Sequence, residues 1–377
     1  MSQSGVIKDV REKHLPWLDL IRFFAAFLVV ICHVRCEMLK SYSLLQPESQ
    51  NIGTQILYYL TSGGKIGVLI FFILSGYLVG GKNISRAMSG GANLKTYIID
   101  RAVRIGLPLI SSLLLVVIVD FVQGCFDTSL LEMNDGLVCK HGALECVGNL
   151  FGLQGVLVGD AGGVFWTLAY EIWFYVLIAG FIAIIAKKDA KSGGFVGYAI
   201  LCVTFIVFSY LQFVWLSLLI CGIFAYYISK KTITKRCFCI VTILFVCSLL
   251  IMPLASETKT DRVVLPISPA CIEITAGFLG AIFIGGIVNY APKRRMSIKI
   301  NNWGTMLASF SYSLYLTHYQ VIRLMRTFGI EQYDVINAKT VFFFLCEVLF
   351  CVLSAYLFYL LTERQTGKVK RYVRTLL

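Results

Sequence analysis

Apolar segments of membrane-spanning length recur along the whole chain, and they limit the folds that it can adopt. A helix needs about 20 mostly apolar residues to cross a bilayer. Segments that approach this length lie at residues 17–39, 63–81, 105–124, 164–186, 194–210, 211–229, 237–255, 271–290, 304–326 and 339–362. Because 58% of the residues are hydrophobic and only 15% are charged, an ordinary soluble protein is excluded. The sequence predicts an all-α, polytopic membrane protein with about ten transmembrane helices.

The distribution of basic residues predicts the orientation of these helices. Most of the 34 lysines and arginines fall at the N-terminus, at the C-terminus and in every second loop. Loops rich in lysine and arginine stay in the cytoplasm, so both termini are expected there. The net charge of +13 is therefore interpreted as a topology signal and not as a nucleic-acid interface. The predicted organisation is a cytoplasmic N-terminal segment 1–16, a transmembrane domain 17–362 embedded in the lipid bilayer, and a basic cytoplasmic tail 363–377.

The longest outside loop, residues 125–163, has two notable features. It carries Cys125, Cys139 and Cys146, of which two could pair in an oxidising compartment, but the odd number leaves the pairing open. Its glycine-rich, apolar part at residues 147–163 is too short to span a membrane. We expect that part to re-enter the membrane or to lie on its surface and cover a cavity. No cysteine spacing is typical of a metal site, and no metal is predicted.

The first span contains two ionisable residues, Arg22 and His33. They are eleven residues apart and therefore share one face of a helix, about 16 Å apart along its axis. Ionisable groups inside a membrane are expensive to bury and are functional candidates by default. The alternatives are an arginine that reaches the headgroups and a histidine that forms an interhelical hydrogen bond.

Further candidates lie in later segments. Arg101 and Arg104 are three residues apart at the cytoplasmic boundary of the third span, where paired guanidinium groups suit a phosphate-rich ligand. Simple anchoring at the cytoplasmic surface is the alternative. Glu171 and His318 lie at a predicted depth similar to that of His33. A carboxylate beside an imidazole holds its tautomer and raises its basicity, as a general base requires. For His318 we expect a structural or acceptor-positioning role.

The ordered set of these motifs resembles one family over essentially the whole chain. It comprises Arg22 and His33 separated by ten residues, then GVLIFFILSGYL, RAVRIGLP, WTLAYEIWFYVL and SYSLYLTHYQ. This set is similar to that of the acyltransferase-3 family of integral-membrane O-acyltransferases. The resemblance implies about ten helices, a cytoplasmic acyl-CoA donor, usually acetyl-CoA, and an acceptor hydroxyl on a cell-surface or lipid-linked glycan. It further implies a bacterial cytoplasmic (inner) membrane and no bound cofactor.

The resemblance also implies roles for individual residues. His33 would be the catalytic histidine, expected to act as the general base, and Glu171 would support it. An acyl-histidine intermediate is the alternative to direct transfer. Arg22, Arg101 and Arg104 would bind the donor. The second span supplies small residues for close helix packing and the hydroxyls of two candidates for the acceptor side. The full set of acceptor-side candidates is Ser75, Tyr77, Trp166, Tyr315 and His318.

Two other functional classes compete with a transferase. In a proton-coupled secondary transporter, His33, Glu171 and His318 would form a proton relay, and the arginines would neutralise an anionic substrate. The lack of a visible inverted repeat and the cytoplasmic arginine pair count against this class. A non-catalytic scaffold of a glycan-assembly complex would leave the buried charges without a role.

Overall fold

The computed structural model describes residues 16–126, 141–186, 191–255, 268–290, 298–329 and 332–376. Within these ranges the chain is helical and forms no β-sheet. In chain order the α-helices are α1 (Pro16–Met38), α2 (Ile52–Thr61), α3 (Gly64–Ser75), α4 (Lys82–Met88), α5 (Leu94–Phe126), α6 (Ala143–Leu150), α7 (Trp166–Ala186), α8 (Lys191–Tyr210), α9 (Phe213–Ser229), α10 (Lys235–Ala255), α11 (Pro269–Tyr290), α12 (Ile298–Ser309), α13 (Ser311–Thr327), α14 (Ala338–Leu361) and α15 (Thr366–Leu376). The all-helical class is thereby confirmed for the described residues.

Seven helical segments of the described chain are long and apolar enough to cross a membrane. They are Pro16–Met38, Ile52–Met88, Leu94–Phe126, Trp166–Ile185, Lys235–Leu254, Pro269–Tyr290 and Ala338–Leu376. Two shorter apolar helices, Gly194–Tyr210 and Phe213–Ser229, correspond to the fifth and sixth predicted spans. The remaining predicted span, 304–326, is not one helix, because the chain leaves helical geometry at Phe310 between α12 and α13.

Helix α13 departs from the pattern of an apolar span because its polar side chains face protein. Ser313, Thr317, His318 and Gln320 are all buried, and Arg323 is 1% exposed. A polar helix can stay inside a bundle only when its neighbours satisfy its hydrogen bonds, and α13 is enclosed by α1, α5 and α14.

Glycines let the second span approach its neighbours closely, as its small residues predict. An added Cβ at Gly76 would lie 2.0 Å from the Leu219 carbonyl oxygen of α9. At Gly222 it would lie 2.2 Å from the Ile73 carbonyl oxygen. The two backbones are therefore in direct contact. The chain between α3 and α4, Gly76–Gly81, is a π-helical turn, a distortion that occurs frequently at functional sites.

We expect Gly222→Ala to destabilise the protein by about 1–3 kcal/mol or more, because the added methyl group overlaps main-chain atoms that cannot rotate away. Gly106→Ala in α5 is the matched control, since no atom lies within 4 Å of its added Cβ. Melting temperatures in detergent measure both effects. Equal melting of the two variants would contradict the close approach of α3 and α9.

Residues 151–165 form an irregular segment between α6 and α7. The side chain of Asn149, near the end of α6, donates to the Gly159 carbonyl and accepts from the Ala161 amide of this segment. Cys125 and Cys146 are both free thiols, so they are not bonded to each other. Cys139 and the N-terminal residues 1–15 lie outside the described residues.

Candidate functional site

A cavity of about 420 Å³ lies between α1, α3, α4, α5, α7 and α13. One end of it carries five basic side chains and the other is mainly apolar and aromatic. The basic residues are Arg22, Lys82, Arg86, Arg101 and Arg104. Along α7 the lining extends from Tyr175 to Thr167, about 12 Å. The cavity is thus elongated and has a strongly positive end.

Two acidic residues line the same cavity. Asp100 lies beside Arg101 at the basic end, and Glu171 lies one helical turn from Tyr175. The Glu171 carboxylate accepts hydrogen bonds from the Tyr175 hydroxyl and, at 3.5 Å, from the Ser75 hydroxyl. The Arg101 guanidinium stacks over the Tyr175 ring, 5.6 Å from its centroid. These contacts connect side chains of α3, α5 and α7 in the middle of the cavity.

Two buried polar atoms of the cavity lining have no hydrogen-bond partner among the residues that the structure describes. They are the Nε of Arg101 and the hydroxyl oxygen of Tyr312. A buried polar group without a hydrogen bond costs free energy, and native structures leave few such groups. Both atoms belong to residues that line one cavity, so a polar ligand held there would satisfy them.

A pair of imidazoles lies next to the apolar end of the cavity. The Nδ1 atom of His33 on α1 is 2.8 Å from the Nε2 atom of His318 on α13. The ring planes are within 4° of parallel and the centroids are 5.1 Å apart. Such values fit two rings that lie end to end in one plane, which makes the hydrogen bond nearly linear. His318 is fully buried, and His33 is half-buried.

The hydrogen bonds of this pair assign its tautomers. The Nδ1 atom of His318 is 3.0 Å from the Leu314 carbonyl oxygen, which can only accept, so Nδ1 of His318 carries a hydrogen. In the neutral ring, Nε2 of His318 is then an acceptor, and Nδ1 of His33 donates to it. The lone pair of a neutral His33 is consequently on Nε2. That nitrogen can take up a proton without breaking the bond to His318.

Tyr315 lies between the imidazole pair and the cavity. It lines the cavity, and its ring centroid is 5.9 Å from that of His318. Its hydroxyl is 2.7 Å from the Thr167 hydroxyl and donates to the Val164 carbonyl oxygen at 2.7 Å. Phe71 also lines the cavity and meets the Tyr315 ring edge to face. The cavity thus lies next to the imidazole pair, and the rings of Tyr315 and Phe71 form an aromatic wall between the two.

The irregular segment 151–165 lies next to the imidazole pair, with the ring of Tyr319 between them. Gly163 has φ +72° and faces the ring of Tyr319, which in turn meets the His33 ring edge to face. Asp160 holds the segment by accepting from the amides of Gly162, Phe165 and Trp166, the last of which begins α7. Burial raises the pKa of Asp160 above the ordinary carboxyl value, although these amide bonds act in the opposite direction. This segment was predicted to cover a cavity, and it lies beside the imidazole pair.

A buried ionic network joins α5 to α13 near the same end of the bundle. Arg323 donates to Asp120, to Gln123 at 2.7 Å and to Gln320 at 2.9 Å. Asp120 also accepts from the backbone amide of His141 and lies 2.9 Å from its ring nitrogen Nδ1. Gln320 in turn donates to the Gly162 carbonyl, so the network fixes α13 against both α5 and the segment 151–165.

One protein family, described as an acyltransferase domain and designated acyltransferase-3, matches residues 15–362. The chain belongs to this family. Comparisons with curated proteins and with solved structures returned no match. The family match confirms the resemblance found in the sequence. The chain is accordingly a multi-pass membrane protein of the acyltransferase-3 family.

Four of the five catalytic and donor-binding candidates that the sequence predicts in this acyltransferase come together at the cavity. Arg22, Arg101, Arg104 and Glu171 all line it. His33 does not line it and pairs with His318. The hydrogen bonds recorded for Glu171 go to Ser75 and Tyr175 and not to His33. The geometry therefore provides two centres, a basic cavity that includes Glu171 and an adjacent imidazole pair.

The acceptor-side candidates are distributed over different surroundings. Ser75 and Tyr315 line the cavity, whereas Tyr77 packs on Tyr226 of α9. Trp166 packs between the rings of Tyr170 and Trp215. Sequence reasoning missed Tyr312 and Lys82 as lining residues, and it missed the Asp120–Arg323 pair. The available signal for that pair was an acid near the end of one predicted span and an arginine near the end of another.

Proposed function

We propose that this protein is a membrane O-acyltransferase that moves an acyl group, expected to be acetyl, from acyl-CoA to a glycan hydroxyl. The acceptor in this proposal is a cell-surface or lipid-linked saccharide, and we expect the protein to lie in the bacterial cytoplasmic membrane. Both termini and the basic end of the cavity face the cytoplasm. The observation that carries the proposal is the elongated cavity with five basic side chains at one end and the imidazole pair beyond the other.

The cavity matches the chemistry of an acyl-CoA in two respects. Coenzyme A is anionic at its nucleotide end, which suits the guanidinium groups of Arg22, Arg101 and Arg104. Its pantetheine arm is neutral but carries amides, which suits a narrow, mostly apolar passage with a few polar atoms. Arg101 Nε and the Tyr312 hydroxyl are the unsatisfied buried donors that such amides or phosphates would engage.

The imidazole pair provides a general base for the acyl transfer. Nε2 of His33 removes the proton from the acceptor hydroxyl, whose oxygen attacks the thioester carbonyl carbon. The C–S bond then breaks, and the sulfur leaves as a thiolate that takes the proton back from His33. The products are the O-acyl ester and coenzyme A with its free thiol. His318 holds His33 in the productive tautomer by accepting its Nδ1 hydrogen throughout.

Passage of the thioester to His33 involves the aromatic wall. Tyr315 and Phe71 line the cavity on the side of the imidazole pair. In the proposed reaction the acyl end reaches His33 beside these rings, and the acceptor hydroxyl approaches from the opposite, outer side. Two substrates from two sides of the membrane would thereby meet at one buried base.

The proposal is tested with purified protein in proteoliposomes by measuring acetyl-CoA turnover with a soluble saccharide acceptor. A transferase releases free coenzyme A in proportion to the ester formed. A proton-coupled transporter would move an intact substrate and consume no acetyl-CoA. Proton uptake and substrate transport without ester formation would overturn the transferase proposal.

The donor site makes a separate prediction. Arg101→Ala is expected to raise the KM for acetyl-CoA about tenfold or more with a smaller change in kcat, because one buried bidentate anion contact is lost. Arg236→Ala, which removes an exposed arginine at the start of α10, is the matched control and should leave KM unchanged. An unchanged KM in Arg101→Ala would place the donor elsewhere.

A further inference from the structure

The C-terminal segment beyond the family match touches the mouth of the cavity. The match ends at residue 362, and the chain continues as a short turn, Glu363–Gln365, followed by α15. Helix α15 packs along the start of α5, the helix that supplies Arg101 and Arg104. It is rich in basic residues, of which the full set is Lys368, Lys370, Arg371 and Arg374.

Two of these cations hold the one acidic residue that lines the basic end of the cavity in the described chain. Lys370 Nζ and an Arg374 guanidinium nitrogen each lie 2.7 Å from the same carboxylate oxygen of Asp100. Asp100 directly precedes Arg101 and lines the cavity with it. The carboxylate is 23% exposed, so it is partly shielded from water and is in contact with two cations from α15.

A second contact joins the same segment to another wall of the cavity. The Glu363 carboxylate accepts from the Ser313 amide at 3.2 Å and from its hydroxyl at 2.8 Å. Ser313 lies in the first turn of α13, where free amides favour a negative charge. Its neighbours Ser311 and Tyr312 line the cavity. The C-terminal segment is thus attached to both α5 and α13 at the cavity.

We propose that α15 is a functional part of the donor site and that Lys370 and Arg374 act by neutralising Asp100. This inference rests on the proposed function. Without α15, the Asp100 carboxylate would compete with the donor phosphates for Arg101 and would repel them. With two cations on that carboxylate, the mouth presents a net positive charge to the anionic nucleotide. Lys370 and Arg374 are positioning residues, because they act through Asp100.

Removal of these two cations is expected to weaken coenzyme A binding. We expect Lys370→Ala/Arg374→Ala to raise the Kd for coenzyme A about five- to tenfold at low salt, since two charges near a multiply charged anion are lost. The effect should shrink at about 0.5 M salt, where exposed charges are screened. The measurement is calorimetric titration of the purified, full-length protein in detergent with coenzyme A itself.

A control variant on the same helix separates a specific role from a general effect of charge. Lys368→Ala/Arg371→Ala removes the same number of charges from exposed positions of α15. We expect less than a twofold change in Kd for this variant. An effect equal to that of Lys370→Ala/Arg374→Ala would overturn the proposal, because α15 would then act only through its total charge.

Asp100→Asn distinguishes neutralisation from a purely mechanical tether. Added to Lys370→Ala/Arg374→Ala, it removes the uncompensated carboxylate and should restore the Kd to within about twofold of the wild-type value. Alone, it should bind coenzyme A at least as tightly as wild type. A tether role predicts the opposite, since Asp100→Asn breaks the same ion pairs. Weaker binding by Asp100→Asn would therefore overturn the proposal even if the double variant failed to fold.

The outcomes for this inference and for the proposed function are separable. If the wild-type protein does not bind coenzyme A, the proposed function fails, and the inference fails with it. If wild type binds coenzyme A and Lys370→Ala/Arg374→Ala binds it equally well, only the role of α15 is overturned.

Discussion

Replacement of His33 by alanine is expected to abolish acyl transfer while coenzyme A still binds. Nε2 of His33 is the acceptor nitrogen of the imidazole pair, and general-base catalysis is typically worth about 10² to 10⁴ in rate. Because His33 does not line the basic cavity, its loss removes no contact to the donor there. The measurement pairs acetyl-CoA turnover in proteoliposomes with calorimetric titration of coenzyme A. Cys32→Ala, at the adjacent position on α1, is the matched control for packing.

His318 offers a sharper test of the same chemistry. His318→Leu removes the acceptor of the His33 Nδ1 hydrogen, and kcat should fall about tenfold or more while the KM for acetyl-CoA stays near wild type. His318→Gln keeps a side-chain oxygen that can accept this hydrogen, and it should recover part of kcat. The pH profile of kcat should move in His318→Leu, because the imidazolium of His33 loses its acceptor. An unmoved profile and equal kcat in both variants would assign His318 a packing role only.

The sequence was sufficient for the class of fold because that class depends on local properties. Apolar length and the spacing of charges identify membrane-spanning helices without knowledge of their neighbours. Glycines of the second span indicated close packing in the same way, and the contact of Gly76 with the Leu219 carbonyl bears this out. Arg22 and His33 were recognised because an ionisable side chain within an apolar helix is conspicuous.

The partners of these residues could not be found in the same way, because they depend on tertiary contacts. His33 and His318 are 285 residues apart in sequence and 2.8 Å apart in space. Similar predicted depth left both Glu171 and His318 as possible neighbours of His33. Which one meets it depends on how α7 and α13 are rotated about their axes, and periodicity does not specify that rotation. The break at Phe310 was likewise invisible in the sequence.

Loss of one member of the buried Asp120–Arg323 pair is expected to produce the largest change in stability. Arg323→Ala leaves the Asp120 carboxylate without its buried cation, and removal of one partner of such a pair typically costs about 3–5 kcal/mol. Asp120→Ala removes the carboxylate that pairs with the guanidinium of Arg323, a residue that is 1% exposed, and should cost a similar amount. Because Arg323 lies on α13 together with His318, both variants should also lose acyl transfer in the protein that remains folded.

A charge-free double variant and an exposed ion pair supply the controls for this prediction. Asp120→Leu/Arg323→Met removes both charges and keeps apolar volume, so it should melt well above either single variant. The Lys40–Asp334 pair is 39% and 36% exposed, and Lys40→Ala should cost about 0–1 kcal/mol. Melting temperatures in detergent rank the variants. If Arg323→Ala melts like Lys40→Ala, the network is not what holds α13 against α5, and the fixed position of His318 must come from the packing of α1 and α14 instead.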